Sequence, residues 1–267
     1  MTLLLADHWV VENWVGILAA AVAIYVFGVP LLVLGQFHHE AHPTVQRVEP
    51  HMLPLPEPVA EHLNAVAACL EPEGFEARGV FLLPHPAKNV SVFLALFVNQ
   101  STVETAFAVS AVARGDGNVV VAEYVEINTY FTTGREINTG NLTDVPAYRA
   151  PRNTLTTHVP WIADPVELCE IHRAIVSAKG DSAPTELRID TQFDGDAAAY
   201  LSGLMHEELE AAVHDGFLRL DGGGAHYRPT LRGAYLMTWK QIPPFARFVM
   251  RARDRRSTQV LEDVGMA

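Results

Sequence analysis

From residue 13 to residue 39 the chain reads NWVGILAAAVAIYVFGVPLLVLGQFHH, without one formally charged side chain between Glu12 and Glu40. About 20 apolar residues rising roughly 1.5 Å each match a hydrocarbon core of about 30 Å. Only a helix lets a lone segment satisfy its backbone there. The pattern therefore predicts a transmembrane helix over residues 15–37, from Val15 to Phe37, with Trp9 and Trp14 at the lipid–water boundary, where aromatic rings collect. A cleavable signal peptide fits poorly. Residues 1–14 lack Lys and Arg, the apolar run exceeds the usual core of roughly 7–15 residues, and Gly35-Gln36-Phe37 is a poor cleavage sequence. A buried core helix rarely stays apolar on every face for so long. Pro30 predicts a kink or loosened last turns.

Basic residues flanking a span face the cytoplasm. None precedes this one, whereas His38, His39, His42 and Arg47 follow it, with Glu40 and Glu49. The expected arrangement is a single-pass protein of the cell inner membrane with its C-terminal domain in the cytoplasm. Cys69 and Cys169 fall inside predicted helices, and their spacing requires no disulfide. Three Asn-x-Ser/Thr sequons, at Asn89, Asn99 and Asn141, carry little weight because such triplets arise by chance.

Residues 38–58, with five prolines and His38-His39-x-x-His42, read as an extended linker. Three histidines and Glu40 are zinc-ligand types, but nothing nearby supplies the groups that orient such ligands, so no metal or cofactor is expected. A helix follows over about Glu57–Leu70, with Leu63, Val66, Ala67 and Leu70 on one face. The period then shortens. Phe75–Leu83, Val90–Asn99, Thr102–Ala113 and Val119–Phe131 read as strands separated by Pro84-His85-Pro86, Asn99-Gln-Ser101 and Gly115-Asp-Gly117. Tyr124, Glu126, Asn128 and Tyr130 alternate with Val125, Ile127, Thr129 and Phe131, as in a half-buried strand. Residues 135–139 can pair back. The expectation is an α+β domain over 59–190, one helix lying on an antiparallel sheet of four to six strands.

Residues 140–163 read as loop. Asp164 then caps a helix with Pro165 at its first position, running to about Ala178 and burying Leu168, Cys169, Ile171, Ile175 and Val176. Another helix spans about Gly195–His214, with Leu201, Leu204, Met205, Leu209, Ala212 and Val213 on one stripe and Asp194 or Asp196 as cap. The glycines 222–224 have no strand before, helix after or Lys beside them that a phosphate loop needs, and read as a hairpin turn.

Gly216-Phe-Leu-Arg219, with Tyr227-Arg-Pro-Thr-Leu-Arg-Gly233, resembles a wing and its following helix, so residues 196–240 are similar to the back half of a winged-helix domain. In DNA-binding members the helix before the wing enters the major groove. Here that helix carries Glu207, Glu208, Glu210 and Asp215, which repel phosphates, so only the shape is carried over. Thr133-Gly-Arg-Glu136 with Thr139-Gly-Asn141, Asp164-Pro165 with His172-Arg173, and Met237-Thr-Trp239 resemble uncharacterised bacterial single-pass membrane proteins, a likeness that brings no activity with it.

The formal charge is −12, but residues 240–256 hold Lys240, Arg247, Arg251, Arg253, Arg255 and Arg256 against Asp254 alone, leaving −17 on the remainder. An acidic body makes nucleic acid an unexpected partner. Phe245, Phe248, Val249 and Ala252 recur opposite the arginines, as in a basic amphipathic helix over 241–267 that meets a membrane surface or a protein.

Three functional readings follow. The first is a membrane-anchored binding or scaffolding module, non-catalytic, whose partner lies in or at the same membrane. The second is a membrane-bound enzyme of unknown type, with Cys169, His172, His206 and Glu207 as candidate groups chosen only by type and proximity. The third is a tethered regulator using a winged-helix-like unit over 191–240.

Overall fold

The computed structural model describes residues 14–49, 54–84, 89–113, 119–145, 148, 150–151, 153–242 and 245–266. Trp9, the turn residues Pro86 and Gly115-Asp-Gly117, and Pro243-Pro244 lie outside them.

Helix α1 runs Trp14–Gln36 and is long and apolar enough to cross a membrane, with 6 % of its most apolar window buried. It does not break at Pro30. Instead the turn before the proline, Ile24–Gly28, widens to π-helical geometry, which accommodates a residue that lacks an N–H and crowds the preceding turn. Phe37 is extended and its N–H bonds the Val33 carbonyl at 3.0 Å, ending the helix.

The segment after α1 is not a free spacer. β1 (His39–Glu40) pairs with a strand near the other end of the chain, β2 (Gln46–Arg47) joins the main sheet, and Ala41, Val45 and Val48 are buried. α2 (Glu57–Leu70) buries Val59, Leu63, Val66 and Leu70, an i, i+4, i+7, i+11 stripe. β3 (Glu76–Leu83), β4 (Val90–Asn99), β5 (Glu104–Ala113), β6 (Val119–Phe131) and β7 (Glu136–Gly140) follow as an antiparallel meander. Its β4–β5 turn is closed by Asn99, whose Oδ1 accepts from Ser101 N at 3.0 Å and Thr102 N at 3.1 Å.

β8 (Thr154–His158), inside the stretch read as loop, pairs parallel with β7. The sheet order is β2-β3-β4-β5-β6-β7-β8, with β9 (Thr185–Glu186) beside the end of β6. The sheet is therefore wider than the four to six strands expected. The additions are strands of two to five residues, too short for a periodic signal.

α3 (Pro165–Lys179) is capped by Asp164, whose carboxylate accepts from Val166 N at 2.9 Å. With α2 it covers one face of the sheet, burying Phe93, Phe97, Ile127, Ile137, Leu168 and Ile175. The short helix α4 (Arg188–Thr191) leads to α5 (Ala197–His214), capped by Asp196. The first half of α5 packs on the opposite face over Phe81, Leu94, Leu96, Val98 and Val109 through Tyr200 and Leu201. Helices thus lie on both faces rather than one.

The rest of the chain forms a smaller unit. β10 (Leu218–Leu220) and β11 (His226–Pro229) make a hairpin, and β1 completes a three-stranded antiparallel sheet in the order β1-β11-β10. α6 (Leu231–Gln241) packs behind it. The core of this unit, Ala41, Leu209, Phe217, Tyr227 and Met237, also takes in Val33 and Phe37 from the end of α1. α7 (Phe245–Asp263) then returns to the main sheet, where Ser257 Oγ accepts from His158 N at 2.9 Å and closes the edge of β8.

Candidate functional site

The α5-facing side of the sheet changes character from strand to strand. One ladder of paired residues runs Leu96, Phe107, Glu126, Gly140, His158; the next runs Val98, Thr105, Asn128, Asn138, Thr156. A third joins Tyr130, Glu136 and Thr154. Under α5 the surface is apolar, and beyond it, across β6, β7 and β8, it is polar. The period of two puts each of these side chains on the same face. The polar half forms a groove beside the acidic flank of α5, where Glu207 and Glu208 are exposed.

Within the groove Glu126 is half-buried, Asn128 is 4 % exposed, and the Glu126 side chain packs over Gly140 opposite it, where an added Cβ would be tight. Burial, then the charges of Glu136 and Glu208, pushes the Glu126 carboxyl up to about 8, so it holds its proton at neutral pH. Glu136 is raised by burial and partly held down by Arg188. In the amide orientation that satisfies both neighbours, Asn138 donates to Asn128 Oδ1 at 2.9 Å and Glu136 Oε1 at 3.1 Å. Among the described residues the Thr156 hydroxyl and His158 Nδ1 are buried without a hydrogen-bond partner. His158 is pushed down to about 4 by burial and by Arg253, and so stays neutral. One end of the groove is closed by Arg188, which is 5 % exposed. It stacks 4.4 Å over the Tyr130 ring and pairs with Glu207, one bond at 3.0 Å. The result is a partly buried polar strip, with Glu126 uncharged at neutral pH, beside the exposed carboxylates of Glu207 and Glu208, a setting suited to a basic or hydroxyl-bearing segment.

The catalytic candidates read from the sequence do not converge. Cys169 is fully buried, and burial pushes its thiol up to about 12, leaving no thiolate at neutral pH. His172, also fully buried, bonds Thr129 Oγ1 at 2.9 Å and Thr139 Oγ1 at 3.0 Å, and burial holds it neutral, near 3. His206 Nδ1 meets the Ala41 carbonyl at 3.1 Å, and Glu207 belongs to Arg188.

The three linker histidines diverge as well. His38 contacts the His226 ring, His39 Nε2 bonds Tyr148 Oη at 3.0 Å, and His42 stacks on His206. Among the described residues no group of three or more His, Cys, Asp or Glu is placed to hold a metal.

Of the anchor residues, Trp14 and Val15 are exposed, while Phe37 is partly buried in the small unit. Of the basic helix, Arg253 is tied to the carbonyls of Asp144 at 2.6 Å and Thr143 at 3.1 Å, whereas Arg247, Arg251, Arg255 and Arg256 are exposed. The expected apolar stripe of that helix is not its buried face. Ser257 and Leu261 are buried, and Phe245 and Phe248 face outward.

The groove escaped sequence reading because the Tyr124, Glu126, Asn128, Tyr130 alternation looks the same whether its polar side meets bulk water or a recess. Comparison with protein-family models, curated proteins and solved structures finds no match.

Proposed function

We propose that this chain is a single-pass, membrane-anchored binding module of the inner membrane, with α1 in the bilayer and the α+β domain in the cytoplasm. It holds a protein partner of the same membrane through the groove over β6, β7 and β8. The observation that carries this reading is the divided state of α1. Its first turns, around Trp14, Val15 and Leu18, stand bare, while Pro30 is buried and Val33 and Phe37 enter a domain core. A bare apolar rod fixed to a folded domain is a membrane element, and the built-in end favours retention over cleavage. The winged-helix likeness enters as shape alone: α5, the β10–β11 hairpin and α6 follow one another, with β1 beside β11. The flank of α5 that would meet nucleic acid is acidic.

The groove is tested by Glu126→Gln. The folded state binds a proton on Glu126 more tightly than the unfolded chain does. Between about pH 4.5 and 8 the native protein therefore carries the extra proton, and stability falls as pH rises through that window. Glu126→Gln removes this loss. It should raise Tm at pH 8 by about 3–6 °C and leave Tm at pH 4.5 nearly unchanged. A photo-crosslinking residue at Asn138 in intact cells should capture a discrete membrane partner, and capture should weaken in Glu126→Gln despite the gain in stability. A variant that is stabilised yet captures the partner as the parent does would remove the groove from the account.

A further inference from the structure

α6 lies antiparallel beside the last turns of α1, and its C-terminal end stops against Tyr25 rather than Gln36. The Trp239 and Tyr25 rings meet edge-on at 5.5 Å, and the Trp239 and Phe245 rings at 5.1 Å. Trp239 near the end of α6, with Phe245 beside it, thus reaches the level of Tyr25, about 17 Å back along the anchor from its cytoplasmic end at 1.5 Å per residue. Were Gln36 at the lipid surface, all of α6 would sit in hydrocarbon, with Arg232 and Lys240, whose charges are strongly disfavoured there. Placing the boundary near Pro30, where the domain begins to cover α1, avoids that. It puts Tyr25, Trp239 and Phe245 in the interfacial layer, where aromatic side chains are favoured.

The first turns of α7 match this level. Phe245 is 49 % exposed, with Trp239 against one edge of its ring, and Phe248 is 63 % exposed. Arg247, Arg251, Arg255 and Arg256 surround them and find no ion-pair partner among the described residues, although the body carries an excess of acid. The buried residues of α7, Ser257 and Leu261, lie in its second half, while its first turns touch the fold through the Trp239–Phe245 ring contact. The segment linking the helices reads Ile242-Pro243-Pro244-Phe245, apolar throughout.

We propose that the α6–α7 corner is a second membrane contact, an interfacial wedge that seats Trp239, Phe245 and Phe248 in the bilayer surface while Arg247, Arg251 and Arg255 meet anionic lipid phosphates. The inference rests on reading α1 as the span. An element of this kind enters about 5–10 Å into the headgroup–acyl boundary, and arginines near an anionic surface strengthen its attachment. The wedge fixes the domain's tilt, so the groove is held at a set height instead of swinging on a tether.

The test uses the full chain in nanodiscs on a Cys69→Ser background, the buried Cys169 being out of reach of a label. Nitroxides are placed singly through Val22→Cys, Phe248→Cys and Thr258→Cys, in discs of phosphatidylcholine with and without phosphatidylglycerol. Collision with oxygen reads lipid, and collision with an aqueous nickel chelate reads water. Position 22 should be open to oxygen, and 258 to nickel. Position 248 should lose nickel accessibility several-fold relative to 258 and gain oxygen accessibility, more so with phosphatidylglycerol. Arg247→Glu with Arg251→Glu should restore nickel contact at 248. If 248 stays as open to nickel as 258 while 22 is in lipid, the wedge is overturned and the anchor stands. If 248 is shielded from both reagents, a protein covers the corner and the lipid assignment is wrong. Nickel contact at 22 would overturn the anchor itself.

Discussion

Gly233→Val loses the small unit. The midpoint of unfolding falls by the equivalent of about 3 kcal/mol, the upper end of what overpacking a tight site costs. Gly233 lies in the first turn of α6, directly over the Phe217 carbonyl, so a Cβ there would run into that oxygen and its backbone carbon. Neither atom can yield. Phe217 O accepts from Thr230 N at 2.9 Å, and the Thr230 hydroxyl donates to Gly216 O at 2.7 Å while accepting from Gly233 N at 3.0 Å. These bonds form the cap of α6, and the side chain would push the helix off β10. Because α6 also carries Leu236 and Met237 into the core shared with Val33 and Phe37, the change loosens the anchor's seat as well. The control is Gly222→Ala in the β10–β11 turn, where an added Cβ meets nothing within 4 Å. Urea unfolding followed by tryptophan fluorescence should place that variant within about 0.5 kcal/mol of the parent. Equal effects at the two glycines would refute the close approach of α6 to β10.

Arg173→Ala should cost about 3–5 kcal/mol, because it strands a carboxylate. Glu104 is 3 % exposed at the start of β5. Arg173, on α3, reaches it through Nε and Nη2 at 3.3 Å, and through Nη1 holds Glu73 at 2.8 Å. The Thr102 hydroxyl adds a 2.6 Å bond to Glu104. One guanidinium therefore ties α3 to the turn after α2 and to the β4–β5 turn. Its fork geometry is the reason lysine should not substitute well. The penalty is that of a buried charge left alone, so Arg173→Met with Glu104→Gln should recover at least about 2 kcal/mol of the single variant's loss in a double-mutant cycle. Additive losses would show that Glu104 is solvated and that the network is ornamental.

Much of this architecture was readable from local pattern. The apolar run of α1, the Val66–Leu70 end of α2, the Asp164-Pro165 start of α3 and the long strands β4 to β6 all repeat their period often enough to stand out. What stayed hidden depends on distant partners. β1 and β2 are two residues each and exist because β11 and β3 offer free edges. β8 has no alternating run of its own, and parallel pairing with β7 defines it. Pro30 suggested a kink or loosened last turns, and the helix meets it with a π-helical turn over Ile24–Gly28 before continuing to Gln36.

The candidate surfaces were harder to see for a different reason. Glu126 and Asn128 looked like a solvent face, and only the lateral extent of α5 decides that β6 to β8 are left as a recess. Phe245 and Phe248 read as the apolar side of an amphipathic helix that meets a membrane or a protein, and only the position of Ser257 and Leu261 shows which side of α7 the domain itself keeps. Cys169 and His172, which shared a helical surface on paper, are both buried, His172 between two threonine hydroxyls.

The central claim is that α1 resides in lipid. Membranes bearing the full chain, washed with alkaline carbonate and sedimented, test it directly, with a chain lacking residues 1–25 alongside. The account predicts that the full chain stays in the pellet until detergent is added, while the shortened chain, held only by the interfacial corner, comes free. Release of the intact full-length chain into the carbonate supernatant would contradict it.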